Sequence, residues 1–432
     1  MTTPWKYQVD GEVGRFEFAT HQILQEGEIL YDSAQEIFPG RRCSEWYKTS
    51  GFKEIAYIYG AIEESYRKTS RLLNRVRHQL KEGTPSRTVR EQAEGEGTKL
   101  MQRIDRKAEQ ILQAHGFRED GVCEGESEAY QGQEPVTLPN DRIATAIAIC
   151  QERMKVDCDL SENPMPYEVP ECAVNISIDD VGVKRQKAER EGHEQQAGEA
   201  EGEPEQKPEP QQRKYVHTTV VHIEHESRSY LLSGHGIKHV LSLLIALLLN
   251  SHLLRYRLQF FTDGYTILHD AIQWCFSWYP NLVIFLDWYH LEEKCKMQLS
   301  LAMTGREVRN EALKELLPLL WAGLIDHAIA FVNSLDRSHI KNPEAIKKLI
   351  GYFERNRAYI PCYAVRKELG LRNSSQIGEK MNDLVVSKRQ KHNGMSWSVS
   401  GSGALASLTA LARNNEYALW FEEGDIEFQL AA

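Results

Sequence analysis

Cysteine is scattered and never closely paired: Cys43, Cys123, Cys150, Cys158, Cys172, Cys275, Cys295 and Cys362 include no CxxC. That spacing excludes a zinc knuckle and offers no disulfide framework, so reduced thiols are expected. Long apolar runs are scarce too. The most apolar stretch, residues 240–249, falls far short of the ~20 residues a bilayer span needs, and no charged segment followed by an apolar one succeeds Met1. The expectation is a cytoplasmic protein with no membrane partner, and 240–249 as a buried helix. A serine or cysteine nucleophile motif is also missing, so no covalent protein intermediate is expected.

Positive charge is in deficit, with a formal net charge of −10, which argues against a uniformly basic nucleic-acid binder. The average conceals the distribution. Residues 188–212 carry eight acidic side chains against two basic ones. With Gly, Pro and Gln and almost nothing apolar, they cannot bury enough surface to offset the entropy of ordering, and a disordered acidic linker is predicted. The remainder has an ordinary soluble balance, and 432 residues allow two to three domains.

What is present centres on residues 256–291. Two apolar runs, 258–261 and 282–286, lead into Asp263 and Asp287, with a helical pattern of about three turns between them. Carboxylates at the C-terminal ends of buried strands stand where open α/β sheets place their ligands, so an acidic site at a sheet edge is expected. Upstream, Val174, Ile176 and Ile178 alternate with polar residues and run into Asp179 and Asp180. Only one of these two aspartates can face the site, since neighbours on a strand point to opposite sides. Alternation puts Asp180 on the face of Ile176 and Ile178. Residues 216–224 and 229–232 read as two further strands, and 233–236 turns the chain into the apolar helix. Three antiparallel strands followed by alternating helices and strands is the order of an RNase H-like fold.

The N-terminal part reads differently. Residues 1–40 hold short apolar and aromatic pieces that suit strands or an irregular arm. From Ser44 the pattern is helical, with Phe52, Ile55, Ala56, Ile58, Tyr59 and Ile62 at helical spacing. A second helix over 65–79 is predicted to bury Leu72, Leu73 and Val76 and to display Arg67, Lys68, Arg71, Arg75 and Arg77. Gly83 and Pro85 break it, Thr84 or Ser86 can cap the next helix, and Arg87 and Arg90 fall in that helix's first turn. A helix-turn-helix that contacts DNA through Arg87 and Arg90 fits this pattern, as does a plain basic hairpin. A longer helix over 98–114 follows. Residues 117–145 are acidic and Gly-rich, 144–154 suit a short helix, and Pro164, Pro166 and Pro170 mark an extended connector.

The chain also resembles the DDE transposases of bacterial insertion sequences, particularly the Mutator-related groups near the Kra and Lre types. The matching pieces are DDVGVKRQ from Asp179, Asp263-Gly264, Asp287-Trp288-Tyr289-His290, Glu379, and SKRQKHNGMSWS from Ser387. Together they cover roughly 170–415. Upstream of Glu379 the chain has Asn373-Ser374-Ser375-Gln376-Ile377-Gly378 where the Kra-type pattern more often has a Gly-Ser-Gly turn.

The resemblance implies a mixed α and α/β protein. Its expected parts are a helical DNA-binding region (1–116), a connector (117–172), the first part of an RNase H-like core (173–290), an all-helical insertion (291–368) and a segment completing the core (369–432). It implies metal-dependent DNA cleavage and strand transfer at insertion-sequence ends. Asp179, Asp263 and Glu379 would be the catalytic carboxylates holding Mg²⁺ (or Mn²⁺), as two ions. Aligning Val183 and Gln186 with the family pattern selects Asp179 over Asp180, and Asp383, four residues after Glu379, is the rival third ligand. Asp287 and His290 would be structural or DNA-orienting. Lys388, Arg389, Lys391 and His392 form a basic cluster suited to phosphates, though solvated charge runs are common. Because such enzymes act on paired ends, a homo-oligomer associated with the nucleoid is implied. The chemistry explains the acids, since in-line attack at phosphorus needs both the attacking and the leaving oxygen stabilised, and hard cations on carboxylates do this. A catalytically inactive DNA-binding regulator and an RNase H-like nuclease without strand transfer are the alternatives.

Overall fold

The computed structural model describes residues 2–26, 28–32, 47–62, 65–79, 83–122, 135–155, 160, 165–186, 214–391 and 394–430. The acidic stretch 188–212 and His392 lie outside them. The chain divides into two compact units: Met1–Asp105 with Val181–Thr218 and Leu384–Glu427, and Arg106–Asp180 with Thr219–Asp383 and Phe428–Ala432.

The first unit opens with a sheet: of the two readings that residues 1–40 suited, they take the strands and not an irregular arm. Strands β1 (Thr2–Gly11), β2 (Gly14–Gln25), β3 (Glu28–Asp32) and β4 (Tyr47–Lys48) lie in the order β3-β2-β1-β4. Tyr7 and Val9 alternate inward on β1, the period-two signature of a half-buried strand. The Tyr7 hydroxyl donates to the Asp32 carboxylate, which also accepts from Gln22 Nε2 at 2.7 Å.

Three helices follow: α1 (Ser50–Ile62), α2 (Tyr66–Val76) and α3 (Ser86–Ala114). Helix α2 does not bury the face its apolar residues suggest. Leu72 and Val76 are 46% and 64% exposed, whereas Thr69, Ser70, Leu73 and Arg77 are buried. Polar contacts decide this. The Ser70 hydroxyl donates to the Thr84 carbonyl at 2.7 Å, Asn74 Nδ2 donates to the same oxygen at 3.1 Å, and Thr84 N–H donates back to Asn74 Oδ1 at 2.7 Å. Arg77 pairs with the Asp10 carboxylate and lies 4.8 Å from the Phe52 ring centroid, so it ties α2 to β1 instead of facing solvent. The connection from α2 to α3, residues 77–85, exceeds the 3–4-residue turn usual in a helix-turn-helix.

The helix expected to begin at residue 98 begins at Ser86 and passes unbroken through Gly95 and Gly97. A Cβ at Gly97 would lie 2.4 Å from the Ala404 carbonyl oxygen. Contact with the buried helix Val399–Arg413 therefore requires glycine there and offsets its helix penalty of about 1 kcal/mol.

The second unit is built on a five-stranded sheet in the order β7-β6-β5-β8-β9. Its strands are β5 (Ala173–Lys184), β6 (Tyr215–His225), β7 (Arg228–Gly234), β8 (Arg257–Thr262) and β9 (Leu282–Leu286). Strands β6 and β7 are antiparallel, while β8 runs parallel to both β5 and β9. Phe260 and Phe261, adjacent on β8, are both buried, as expected of a parallel strand covered on both faces. Helices α4 (Asn140–Met154), α5 (Ile237–Asn250) and α6 (Thr266–Cys275) belong to this unit, and α5 is buried at every residue from Val240 to Leu249. Among the described residues, no helix is long and apolar enough to cross a membrane.

The all-helical segment after β9 comprises α7 (Trp288–Ala302), α8 (Arg306–Trp321), α9 (Ile325–Ser334), α10 (Pro343–Asn356) and α11 (Tyr363–Glu368). Leu291, Leu299, Leu316, Leu320, Leu349 and Phe353 share one apolar core with Leu286 of β9. A short helix, α12 (Gln376–Asn382), comes next.

Arg366 on α11 is wholly buried, its guanidinium 3.9 Å from the Phe285 ring centroid. It donates to Gln259 Oε1 at 3.2 Å and to the Arg372 carbonyl at 2.8 Å. Burial lowers its pKa to about 10, with Glu168 opposing that shift. Arg366→Ala is expected to cost about 3–5 kcal/mol in urea denaturation, because it strands buried acceptors and leaves Glu168 short of countercharge; a loss below about 1 kcal/mol would refute this.

Candidate active site

The parallel register sets the site. Ser177 pairs with Phe261 and Thr262 with Leu286. Continuing one residue at a time places Asp179, within β5, in one row with Asp263 and Asp287, which directly follow β8 and β9. Asp263 and Asp287 are reached after apolar strands, so the core fills first and the charge emerges at the edge, whereas β5 runs on past Asp179 with Val181 and Val183 buried.

The two aspartates of β5 diverge. Asp179 Oδ1 accepts from the Asp180 N–H at 2.7 Å, and its Oδ2 accepts from Asn382 Nδ2 at 2.9 Å. Asp180 Oδ1 accepts from the Thr219 hydroxyl of β6 at 3.0 Å. Burial raises the pKa of Asp179; the Asp180 N–H and His290 oppose the rise, while Asp263 and Glu379 add to it. Asp263, Glu379 and His290 thus act on Asp179, and Asp180 is engaged with Thr219.

Asp263 stands at a tight turn. Its Oδ1 accepts from the Tyr265 N–H at 2.9 Å, and its carbonyl accepts from the Tyr352 hydroxyl of α10 at 3.0 Å. Gly264 follows at φ +83°, and a Cβ there would lie 2.9 Å from Asn356 Oδ1. Both the left-handed backbone and the crowding call for glycine.

Asp287 is fully buried and caps α7, accepting from the Tyr289 N–H at 2.7 Å and from the Ser375 N–H. His290, in the first turn of α7, has its Nε2 2.6 Å from Glu379 Oε1 of α12. Burial disfavours the imidazolium, but the Glu379 hydrogen bond, with Asp287 and Asp263, outweighs it and raises His290 to about 9. This ring is therefore a cation among carboxylates at neutral pH. Asp383 is exposed at the start of a π-helical turn, Asp383–Ser387.

Glu379 reaches this edge because α12 packs directly on β5. A Cβ at Gly378 would lie 2.5 Å from Ser177 Cβ, so the residue before the glutamate admits no side chain without displacement. Asn382, Gly378, Tyr352 and Ser375 escaped the sequence reading. Gly378 carried a signal, a glycine inside a short helix beside an acid; the others carried none. Among the described residues, no three His, Cys, Asp or Glu side chains stand in a metal-holding arrangement.

The expected DNA contacts lie in the first unit. Arg87 and Arg90 are exposed on the first turn of α3, with Arg87 Nε donating to Glu91 Oε1 at 2.6 Å. Lys388 and Lys391 are exposed. Arg389 is not: it is 2% exposed, 4.7 Å and 5.1 Å from the ring centroids of Tyr66 and Trp397, and its pKa is lowered by burial. Its planar, weakly hydrated guanidinium suits an aromatic slot, which removes it from the basic cluster.

No family model matches the chain, and no curated protein matches it. Among solved structures it is similar to the Drosophila P element transposase strand transfer complex, at 13% identity over 70% of this chain and 85% of that one, with a TM-score of 0.19. A likeness of that size says nothing about activity.

Gly378→Ala is expected to destabilise the protein by about 1–3 kcal/mol through overpacking against β5. Ser177→Gly in the same chain should restore part of that loss in urea denaturation. Full stability of Gly378→Ala alone would show that α12 does not depend on this contact.

Proposed function

We propose that the protein is a DNA transposase of the DDE class, in which an RNase H-like second unit cleaves and joins DNA at insertion-sequence ends. The observation that carries this reading is the register row. Asp179 on β5 lies level with Asp263 at the end of the adjacent parallel strand β8, and α12, seated on Ser177, brings Glu379 into the field at Asp179. The strand order β7-β6-β5-β8-β9, with one acid on the first strand in sequence and one after the fourth, supports the same reading.

The donors are of the type a hard divalent cation takes, although among the described residues they do not stand in a metal-holding arrangement. Three oxygen-bearing acids share an edge without a thiolate, and Asp179 is raised by burial and by its two acidic neighbours, a repulsion that positive charge would relieve. Asp179, Asp263 and Glu379 would hold Mg²⁺ or Mn²⁺, as two ions. Bound there, the ions would stabilise charge on the attacking and leaving oxygens of a phosphodiester. The chain's own residues do the rest. Asn382 orients Asp179, the Tyr265 N–H orients Asp263, and His290 holds Glu379 and contributes a positive charge suited to a phosphate.

DNA is the proposed partner of the first unit as well, bound through the exposed basic side chains of α2 and the start of α3 in a basic helical hairpin. Assembly on paired ends as a homo-oligomer belongs to the same proposal.

Incubation of the purified protein with its own element's end sequences and Mg²⁺ tests the reading by the appearance of 3′-end nicks. Asp263→Asn and Glu379→Gln should each lower cleavage by about three orders of magnitude or more while end binding survives, and the double variant should be scarcely worse than either. Asp383→Asn should cleave normally. Wild-type cleavage by both single variants would sink the DDE assignment, leaving a DNA-binding regulator or a different nuclease.

Arg87→Ala combined with Arg90→Ala should weaken binding to the element's ends more than to random DNA of equal length, measured by fluorescence anisotropy. Equal losses on the two DNAs would reduce the hairpin to a phosphate contact.

A further inference from the structure

Asp287 is the most fully committed carboxylate of the row, and its bonds converge on the elements that carry the other site residues. Its N–H donates to the Thr262 carbonyl at 2.9 Å, joining it to the residue before Asp263. Its side chain caps α7 by accepting from Tyr289 N–H, and it also accepts from Ser375 N–H at the N-cap position of α12. Beside it, Trp288 N–H donates to the Asn373 carbonyl at 3.2 Å. Three residues into α7 stands His290, and four residues past Ser375 stands Glu379, and these two meet at 2.6 Å.

We infer that Asp287 is the positioning residue for Glu379: one buried carboxylate holds the starts of both helices whose side chains form the His290–Glu379 pair. Asp287 itself points into protein on both oxygens and is not available to a substrate. A carboxylate is required because an ionised Asp accepts on two oxygens, whereas an amide offers one acceptor oxygen and a donor nitrogen that would face the other N–H. Charge-assisted acceptance by the oxygens also makes these bonds stronger than neutral ones. This assignment rests on the proposed role of Glu379 for its catalytic meaning, but its structural content is independent of that role.

Hydrogen exchange read by mass spectrometry on the full chain tests it, together with Mn²⁺ titration. Asp287→Asn should speed exchange about tenfold in peptides covering 376–382 and 288–294, and leave 258–262 unchanged. Ser375→Pro deletes the N–H that Asp287 accepts from α12, and the serine hydroxyl with it, at a backbone φ of −89°, roughly 25° from that of proline. It should speed exchange in 376–382 alone, and it decides the matter if Asp287→Asn does not fold. Both variants should bind Mn²⁺ about tenfold more weakly, as expected for loss of an outer-shell partner. Unchanged exchange at 376–382 in Ser375→Pro, or equal acceleration at 258–262, would overturn the inference. Failure of the wild-type protein to cut DNA would remove the proposed function and leave the exchange result standing.

Discussion

The one-for-one register of β5, β8 and β9 is the constraint on which the site depends. Parallel strands paired in step keep residues of equal height in rows, and here the first row beyond the apolar core is acidic at all three positions. Crowding carboxylates at a half-buried edge is unfavourable in itself. The fold meets that cost differently at each one: two backbone N–H groups on Asp287, an Asx turn at Asp263, Asn382 on Asp179, and a cationic His290 against Glu379. Unequal compensation gives the acids unequal roles. Asp287 is used up in holding backbone, while burial and its acidic neighbours raise the pKa of Asp179.

The helical segment between β9 and α12 serves the same edge. Tyr352 of α10 grips the carbonyl of Asp263, and the Tyr363 hydroxyl of α11 donates to the Leu286 carbonyl at 2.7 Å, one residue before Asp287. Residues far apart in sequence are thus drawn to the ends of two adjacent strands. This explains why the insertion has its own apolar core around Leu299, Leu316 and Phe353: a loosely packed excursion could not position hydrogen bonds at a sheet edge.

In the first unit, basic charge and exposure part company. Arg77 and Arg389 were both legible as surface cations, and both are buried, one against Asp10 and Phe52, the other between Tyr66 and Trp397. Lysines at 388 and 391 stay outside. Guanidinium stacks on aromatic faces and is weakly hydrated, whereas an ammonium holds its water. The arginines therefore entered cores that a charge count along the chain assigns to solvent.

Local pattern determined much of the second unit. Period-two alternation before Asp179, short apolar runs ending at Asp263 and Asp287, and nine apolar residues among the ten from Val240 to Leu249 each encode burial within a few residues, so strands, buried helix and the acids that follow apolar runs were readable directly. What the chain could not disclose depends on contacts between distant residues. Asp179 met Asn382 and Asp180 met Thr219, partners that no local pattern announces. Helix α3 runs through two glycines because Gly97 meets Ala404. The company of Glu379 follows from Gly378 on Ser177 and from Asp287 on Ser375, pairs about 200 and 90 residues apart. Alternation along a strand states only that neighbours face opposite ways; which face becomes a site is decided by the element that packs there.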